Sequence, residues 1–254
     1  MRANNVKKIF RAGGNVVNAW CAIPNGFAAE ALAQENFDSV TVDMQHGMVD
    51  FQRGIELLQG ISTTNKTPLA RVSWNEPGQI MKILDAGAYG IVCPMINNKE
   101  ECEKFVGACR YYPTGYRSFG PARAAIYGGA DYYAKADSTI LTFAMIETRE
   151  ALDKLDEIMS VKALDAIYVG PSDLAISLGV NPAGVPTDKK VLKAIDDILK
   201  VAKKHKKVGG IHCGSGDMAA AMFKKGFQFC TLMNDVRLMG IGAKAEIAAA
   251  RGGK

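Results

Sequence analysis

The chain contains 254 residues, of which 48% are hydrophobic and 22% charged, a composition typical of a globular protein rather than a disordered one. Part of its net charge of +5 at pH 7 comes from KVAKKHKK at 200–207, a stretch typical of the solvated end of a helix. No nucleic-acid-binding motif accompanies this stretch, so we expect no nucleic-acid partner, and a mildly positive protein suits small anionic substrates.

The first segment of the chain, MRANNVKKIFRAGGNVVNAW, contains basic residues but no uninterrupted apolar region followed by a cleavage site. No later apolar run reaches the length of a membrane span, so we expect a cytoplasmic protein without membrane contact. Six cysteines are scattered along the chain without a CxxC pair, which predicts reduced, structural thiols.

Eight short apolar segments alternate with amphipathic segments from one end of the chain to the other. The predicted strands are residues 16–23, 39–44, 67–72, 90–95, 139–147, 164–170, 208–213 and 227–233. The predicted helices are residues 26–36, 50–62, 77–87, 99–111, 149–160, 190–204, 216–226 and 236–250. Strict alternation of buried strands with helices predicts a single α/β domain over residues 1–254, a (β/α)8 TIM barrel, with a doubly wound open sheet as the alternative.

The longest interruption of this alternation is residues 110–138, a segment rich in Gly, Tyr and Arg before the fifth strand. It is too long for an ordinary connection, which favours either a functional loop or a packing arm. Arg123 and Tyr127 in this segment, together with Trp74 and His212 elsewhere, are candidates for substrate specificity or for packing.

Two predicted strands end at acidic residues. The fifth strand ends at Glu147, and the sixth runs into GPSD, which contains Asp173. Active sites of such barrels lie where the carboxyl ends of the strands meet, and these two strands are neighbours. We therefore expect both carboxylates to bind one divalent cation, Mg²⁺, Mn²⁺ or Co²⁺. The alternative is that each acid caps the helix that follows it.

The second and third predicted strands supply further candidates at the same face. VDMQHG places Asp43 and His46 three residues apart, a spacing that favours His46 as a catalytic base oriented by the Asp43 carboxylate. The third strand ends at Arg71, whose guanidinium needs an anion there. That anion is a substrate carboxylate, an enolate or a neighbouring acid such as Asp43 or Glu147.

The GPSD turn also provides backbone groups that can bind an anion. Gly170 permits close approach, Pro171 fixes the turn, and the Ser172 and Asp173 amides begin a helix whose N-terminus attracts a carboxylate. Asp85 lies near the C-terminus of a predicted helix, where an acid is unfavourable, so it either has another purpose or is simply exposed.

Taken together, these segments resemble the HpcH/HpaI aldolase/citrate lyase family, in particular its class II, metal-dependent 2-oxo-acid aldolases. The resemblance covers nearly the whole chain. It is carried, in the family's order, by VDMQHG, LARV, MKILDAGAYGIVCPM, CRYYPTGYRSFG, MIETREALDKLDEI and IYVGPSDLAISLG. The last two segments are the most specific.

The resemblance implies a barrel of the phosphoenolpyruvate/pyruvate type and a role for each candidate. Glu147 and Asp173 would bind the divalent metal, and His46, paired with Asp43, would be the base. Arg71 would steady the carbonyl oxygen as it becomes an enolate.

The resemblance also has implications beyond the metal and the base. The amides of the GPSD turn would bind the pyruvate carboxylate, and Asp85 would act across a subunit boundary. The family's assembly implies a hexamer, a trimer of dimers that exchange their last helix, VRLMGIGAKAEIAAA. The chain departs from the family's pattern at Met145, where a glutamine is usual, and at Gln45, where an acid is usual, which puts acceptor choice and water positioning in question.

The activity implied is reversible cleavage of a 4-hydroxy-2-oxo acid to pyruvate and an aldehyde. His46 would remove the proton of the C4 hydroxyl, and the metal and Arg71 would stabilise the enolate. No lysine stands at a predicted strand end beside the acids, which disfavours Schiff-base chemistry. The alternatives are citrate-lyase-like cleavage of an acyl-CoA thioester and a barrel that only binds a ligand or assembles.

Overall fold

Eight parallel strands close into a barrel in the computed structural model, which describes residues 1–253. The strands are β1 (Val16–Cys21), β2 (Ser39–Asp43), β3 (Thr67–Arg71), β4 (Gly90–Cys93), β5 (Leu141–Ile146), β6 (Ala166–Val169), β7 (Val208–Cys213) and β8 (Phe229–Leu232). Each strand pairs with its sequential neighbour, and β1 completes the ring by pairing with β8. The predicted barrel is confirmed, and the open sheet is wrong.

Helices connect the strands on the outside of the barrel. They are α1 (Asn5–Arg11), α2 (Gly26–Gln34), α3 (Phe51–Ile61), α4 (Pro77–Asp85), α5 (Lys99–Ala108), α6 (Ala122–Gly128), α7 (Tyr132–Thr139), α8 (Arg149–Asp153), α9 (Leu155–Met159), α10 (Pro171–Ser177), α11 (Lys189–Lys204), α12 (Gly216–Lys225) and α13 (Asp235–Ala250). Many begin at a residue whose side chain accepts a hydrogen bond from the first turn, as Asp50, Asn98 and Ser215 do. None of the helices between residues 1 and 253 is long and apolar enough to cross a membrane.

The helices differ from the predicted set in two ways. Four of them, α1, α6, α7 and α10, lie outside that set, and each is only seven or eight residues long. A helix of two turns is too short for an apolar face to recur in the sequence. The predicted helix at 149–160 is divided at Lys154, whose φ of −117° and ψ of 21° leave the helical region.

The segment 110–138 packs on the barrel. Arg123 donates to the Ala86 carbonyl oxygen (2.7 Å) and to the Ser62 hydroxyl (3.1 Å). The Tyr127 ring packs against Tyr89, with 5.0 Å between ring centroids. Neither Arg123 nor Tyr127 lines the cavity described below, so the structure places both in packing contacts.

Two apolar clusters hold the barrel together. The larger one lies between the strands and the surrounding helices. The smaller one fills the inside of the barrel and includes Val16, Trp20, Leu69, Val92, Leu141, Phe143, Met145, Ala166, Tyr168 and Phe229. These residues recur at every second position of their strands, because successive side chains of a strand point to opposite faces. All six cysteines are buried and none forms a disulfide.

A polar layer crosses the inside of the barrel. The Asn18 amide, which has no exposed surface, donates to the Thr231 hydroxyl (2.9 Å). Its oxygen accepts from the Ser39 (2.7 Å) and Thr41 (3.1 Å) hydroxyls. The Tyr168 hydroxyl lies 2.8 Å from that of Thr231. A buried network satisfied in this way favours one register of the strands that contribute to it.

Helix α1 closes the amino-terminal end of the barrel. The Val6 amide donates to the hydroxyl of Thr67, the first residue of β3 (3.3 Å). The Phe10 ring enters the interior and meets Phe143 and Phe229 edge-on, at centroid distances of 6.4 and 6.3 Å. The opposite end, where the strands finish, stays open.

Replacing Phe10 by alanine should therefore destabilise the whole barrel. We expect Phe10→Ala to lower the free energy of unfolding by about 2–3 kcal/mol, because the ring leaves a cavity between two other aromatic rings. Urea denaturation followed by circular dichroism measures this quantity. Lys8→Ala, an exposed position on the same helix, is the control and should change it by less than about 0.5 kcal/mol. Equal effects of the two substitutions would contradict the role assigned to α1.

Candidate active site

A cavity of about 200 Å³ opens at the carboxyl ends of the strands. Its lining residues are Trp20, Asp43, His46, Arg71, Met145, Glu147, Tyr168, Gly170, Pro171, Ser172, Asp173, His212 and Asn234. The structure thus brings together every candidate catalytic, carboxylate-binding and metal-binding residue from the sequence except Asp85. Of the candidates for substrate specificity, His212 lines the cavity and Arg123, Tyr127 and Trp74 do not. Trp74 is exposed and lies outside the cavity.

Asp43 and Arg71 form an ion pair at the centre of this cavity. The two residues end neighbouring strands and lie directly opposite each other in the β2–β3 register. Arg71 donates from Nε to Asp43 Oδ1 (2.8 Å) and from Nη2 to Oδ2 (2.6 Å). Such a two-point contact fixes the plane of the guanidinium as well as its position.

Three further groups donate to the Asp43 carboxylate. They are the Trp20 indole N–H (3.0 Å) and the backbone N–H groups of Gln45 (3.0 Å) and His46 (3.2 Å). Burial alone would raise the pKa of Asp43, but the hydrogen bonds and charge of Arg71, helped by Trp20 and His46, hold it below its usual value. Asp43 is therefore a fixed carboxylate anion.

The interpretation of Asp43 as the acid that orients the His46 imidazole needs correction. Among residues 1–253, Asp43 reaches His46 only through the backbone N–H, because its two oxygens are already occupied by Arg71 and Trp20. The carboxylate thus positions the turn that carries His46. Gly47 completes this turn, since a Cβ there would lie 2.3 Å from the Asp43 carbonyl oxygen. The His46 ring itself is exposed at the rim of the cavity.

Glu147 lies deeper, just after β5, and only 2% of its surface is exposed. Its Oε1 accepts the Met95 N–H (2.8 Å). Its Oε2 faces Gly170, where a Cβ would come within 2.2 Å of it. The pKa of Glu147 is raised to about 7, mainly by burial and also by the nearby negative charge of Asp173, against the lowering effects of the Met95 hydrogen bond and Arg71.

These two carboxylates fit a divalent cation. Glu147 is held by one hydrogen bond, and the absence of a side chain at Gly170 keeps the space beside its second oxygen open. Carboxylate oxygens are the ligands that Mg²⁺ and Mn²⁺ prefer, and Mg²⁺ commonly takes only one or two of them, with substrate and water completing its shell. Within residues 1–253 no group of three or more His, Cys, Asp or Glu side chains is arranged to hold a metal, which is consistent with a two-carboxylate site.

The GPSD turn, residues 170–173, forms part of the cavity wall. Helix α10 begins at Pro171, and no side chain caps its first turn. The Ser172 and Asp173 amides are therefore available to an anion at the cavity wall.

The cavity lining also contains three residues that sequence reasoning missed, Trp20, Tyr168 and Asn234, beside His212, which was a candidate for specificity. Trp20 stacks on Tyr168, with ring centroids 5.7 Å apart, and meets the His212 ring edge-on at 5.4 Å. Asn234, just after β8, also faces the cavity. Trp20 and Tyr168 could have been found from the two-residue period of the strands. This period places them, like His212, on the inner face of the barrel with Asp43 and Arg71.

Asp85 lies away from this cavity in its own chain. It ends α4 and accepts a hydrogen bond from Arg117 (2.6 Å), a side chain with no exposed surface. A role in a neighbouring subunit's site therefore stays a prediction.

The fold and the cavity together define a (β/α)8-barrel protein with three carboxylates, a guanidinium and two imidazoles where its strands end. The chain belongs to the HpcH/HpaI aldolase/citrate lyase family, whose model matches residues 18–239. It is 40% identical over 248 residues to a hydroxypyruvate/pyruvate aldolase of Rhizorhabdus wittichii, which covers 98% of this chain and 99% of the relative. It is 33% identical over 248 residues to a 4-hydroxy-2-oxo-heptane-1,7-dioate aldolase of Salmonella dublin, covering 96% and 94% of the two chains.

A solved structure shares the whole architecture. An HpcH/HpaI aldolase/citrate lyase family protein from Burkholderia cenocepacia J2315 superposes with a TM-score of 0.92 at 26% identity, over 98% of this chain and all of that one.

The raised pKa of Glu147 predicts that ionisation of this residue lowers the stability of the folded protein. Between its usual value of 4.5 and about 7, the folded metal-free protein retains a proton that the unfolded chain has released, so stability falls as pH rises through this window. We expect Glu147→Gln to raise the free energy of unfolding of the metal-free protein by about 1–3 kcal/mol at pH 8, and by much less at pH 5.

Urea denaturation at the two pH values measures this difference. Glu150→Gln changes an exposed carboxylate three residues away and is the matched control, for which we expect no dependence on pH. If Glu147→Gln had the same effect at pH 5 and pH 8, the electrostatic account of this residue would be wrong.

Proposed function

We propose that this protein is a divalent-metal-dependent aldolase that cleaves, or forms, 4-hydroxy-2-oxo acids, with pyruvate and an aldehyde as the other reactants. The observation that carries the proposal is the meeting of Glu147, Asp173, Arg71 and His46 in one cavity. The two curated relatives are named as aldolases of pyruvate, hydroxypyruvate or a 4-hydroxy-2-oxo acid, which supports a carbon–carbon lyase acting on a small oxo acid.

In this proposal, Glu147 and Asp173 hold the cation, which is Mg²⁺, Mn²⁺ or Co²⁺. When bound, the cation supplies Lewis-acid chemistry, withdrawing electron density from the carbonyl of the 2-oxo acid. Positive charge beside Glu147 also reverses the effect of burial and keeps this carboxylate ionised at neutral pH.

The start of α10 receives the carboxylate of the oxo acid. Gly170 and Pro171 shape the turn, and the Ser172 and Asp173 amides donate to the anion. This contact orients the substrate so that its C3–C4 bond points towards the rim of the cavity, where His46 lies.

His46 removes the proton from the C4 hydroxyl, and the C3–C4 bond then breaks to release the aldehyde. The electron pair of that bond moves towards the 2-oxo oxygen, where negative charge develops, and the enolate then takes up a proton at C3 to give pyruvate. Arg71 stabilises this charge, and its Nη1 is available because only Nε and Nη2 are used by Asp43. Asp43 is a positioning residue that holds Arg71 and the His46 turn.

The alternatives fit the cavity less well. No lysine is among the residues that line it in the described part of the chain, which disfavours a Schiff-base mechanism. Its volume of about 200 Å³ suits a small oxo acid and falls below the usual size of a site for a large ligand, which disfavours an acyl-CoA thioester.

The test is pyruvate release from a panel of 4-hydroxy-2-oxo acids after metal stripping and re-addition of Mg²⁺, Mn²⁺ or Co²⁺. We expect release only with metal, and we expect Glu147→Ala to lower kcat/KM by about a thousandfold, because the cation is lost from the site. A lactate dehydrogenase-coupled assay follows pyruvate continuously.

Glu150→Ala, the nearby exposed acid, is the control and should leave release unchanged. Full activity in the presence of EDTA would overturn the metal-dependent mechanism. No release from any substrate with any metal would overturn the aldolase proposal as a whole.

We further propose that the protein forms hexamers, as trimers of dimers that exchange α13, and that Asp85 contributes to a neighbouring site. In support, α13 buries none of its residues in its own chain and exposes the apolar side chains of Met239, Ile241 and Ile247. Such a surface needs a partner. Multi-angle light scattering on the eluting protein should give six times the mass of one chain, and a monomeric mass would refute the exchange.

A cytoplasmic location is also part of the proposal. Its support is the state of the six cysteines, which are all buried and unpaired, as in proteins of reducing compartments. Cell fractionation with an antibody against the protein tests it, and recovery in a membrane or secreted fraction would contradict it.

A further inference from the structure

His212 lines the cavity but has no part in the chemistry proposed above. It lies near the end of β7, on the inner face of the barrel. Its Nδ1 is 3.1 Å from the Tyr168 hydroxyl. Its Nε2 forms no hydrogen bond with residues 1–253. This nitrogen is not completely enclosed by these residues and keeps some accessible surface. The second ring nitrogen is therefore open to the cavity.

The His212 ring is anchored from below by the polar layer of the barrel. Tyr168 is 1% exposed, and its hydroxyl lies 2.8 Å from that of Thr231, which in turn accepts from Asn18. The chain of buried hydrogen bonds that begins at Asn18 thus runs through Thr231 and Tyr168 and ends at His212, which lines the cavity. Buried polar groups are normally hydrogen-bonded, so the Nε2 of His212 has an unused hydrogen-bonding position that a ligand in the cavity can take.

Trp20 holds the same ring from the side. Its indole stacks on Tyr168 and meets His212 edge-on, with 5.4 Å between ring centroids. The indole N–H is itself fixed by Asp43 (3.0 Å). His212 therefore has little freedom to turn, and its Nε2 is presented in a constant direction.

The ring is neutral under ordinary conditions. The pKa of His212 is lowered to about 4, mainly by burial and also by the positive charges of Arg71 and Arg237, against the opposite effect of Asp43. A neutral imidazole is a hydrogen-bonding group without charge, in which Nε2 either donates or accepts. A hydroxyl group complements it in both cases, since a hydroxyl can donate and accept, whereas a C–H group complements neither.

We propose that His212 is a specificity-determining residue whose Nε2 hydrogen-bonds a hydroxyl group carried by the substrate in addition to its 2-oxo-acid group. The inference rests on the proposed aldolase function. That hydroxyl has two sources: C3 of the oxo acid, as in hydroxypyruvate compared with pyruvate, or the carbon beside the carbonyl of the aldehyde, as in glycolaldehyde compared with acetaldehyde. Tyr168 is the positioning residue that holds the ring.

The experiment measures carbon–carbon bond formation for all four pairings of pyruvate or hydroxypyruvate with acetaldehyde or glycolaldehyde. Wild type and His212→Leu are compared with the same metal. We expect the preference for the hydroxylated reactant, expressed as a ratio of kcat/KM values, to fall about tenfold in His212→Leu, as for the loss of one neutral hydrogen bond. The oxo-acid arm compares hydroxypyruvate with pyruvate, and the aldehyde arm compares glycolaldehyde with acetaldehyde. Loss of the preference along the oxo-acid arm identifies the C3 hydroxyl as the partner of Nε2, and loss along the aldehyde arm identifies the aldehyde hydroxyl.

Two further variants separate recognition from general damage. His212→Gln keeps a hydrogen-bonding amide at the same reach and should retain part of the preference. Tyr168→Phe removes the anchor of Nδ1 while keeping the aromatic ring, and should weaken the preference without changing which arm carries it. Calorimetric titration of the metal-loaded proteins with hydroxypyruvate and with pyruvate gives the affinity ratio independently of turnover.

If His212→Leu and wild type had the same preference ratios along both arms, the inference would be overturned while the aldolase proposal stood. An equal fall in all four pairings would also overturn it, because that pattern indicates damage to the common site. A wild-type protein inactive in every pairing would overturn the aldolase function, and the inference with it.

Discussion

The ion pair between Asp43 and Arg71 is the interaction on which the geometry of the cavity depends. It joins the ends of two neighbouring strands, and the same carboxylate also fixes the Trp20 indole and the turn that carries His46. Removing either partner would leave a charge in a largely buried place, which costs far more than the pair itself contributes. Several cavity residues are therefore positioned by one carboxylate, that of Asp43.

The charges at the cavity do not balance within the chain. Asp43 and Arg71 neutralise each other, and Glu147 and Asp173 are left as two acids facing the same space. Burial makes this arrangement unfavourable unless a proton or a cation is present. The absence of a side chain at Gly170 keeps the second Glu147 oxygen accessible. In the proposed function, part of the free energy of cation binding would therefore come from relief of the repulsion between these two buried acids.

The barrel and the convergence of the strand ends could be predicted from the sequence, because both follow from periodicity and from the rule that parallel strands end at one face. Glu147 and Asp173 were found in this way. The partner of Asp43 could not be predicted, since His46 and Arg71 are both within reach and only the two-point fit of the guanidinium decides between them. The strand period places Tyr168 on the inner face, but its role could not be predicted, because that role comes from contacts with Thr231 and His212, which are distant in the chain.

The closure of the barrel by α1 has a consequence for how the chain reaches its native state. Phe10 lies near the start of the chain, yet one of its two aromatic partners, Phe229, belongs to the last strand. During synthesis the apolar face of α1 therefore emerges long before its binding place exists, and it cannot dock until β8 has joined the ring. Contacts so distant in sequence form late and slowly. Helix α1 thus leaves the ribosome before all eight strands but is among the last elements to dock, and its docking indicates that the barrel has closed.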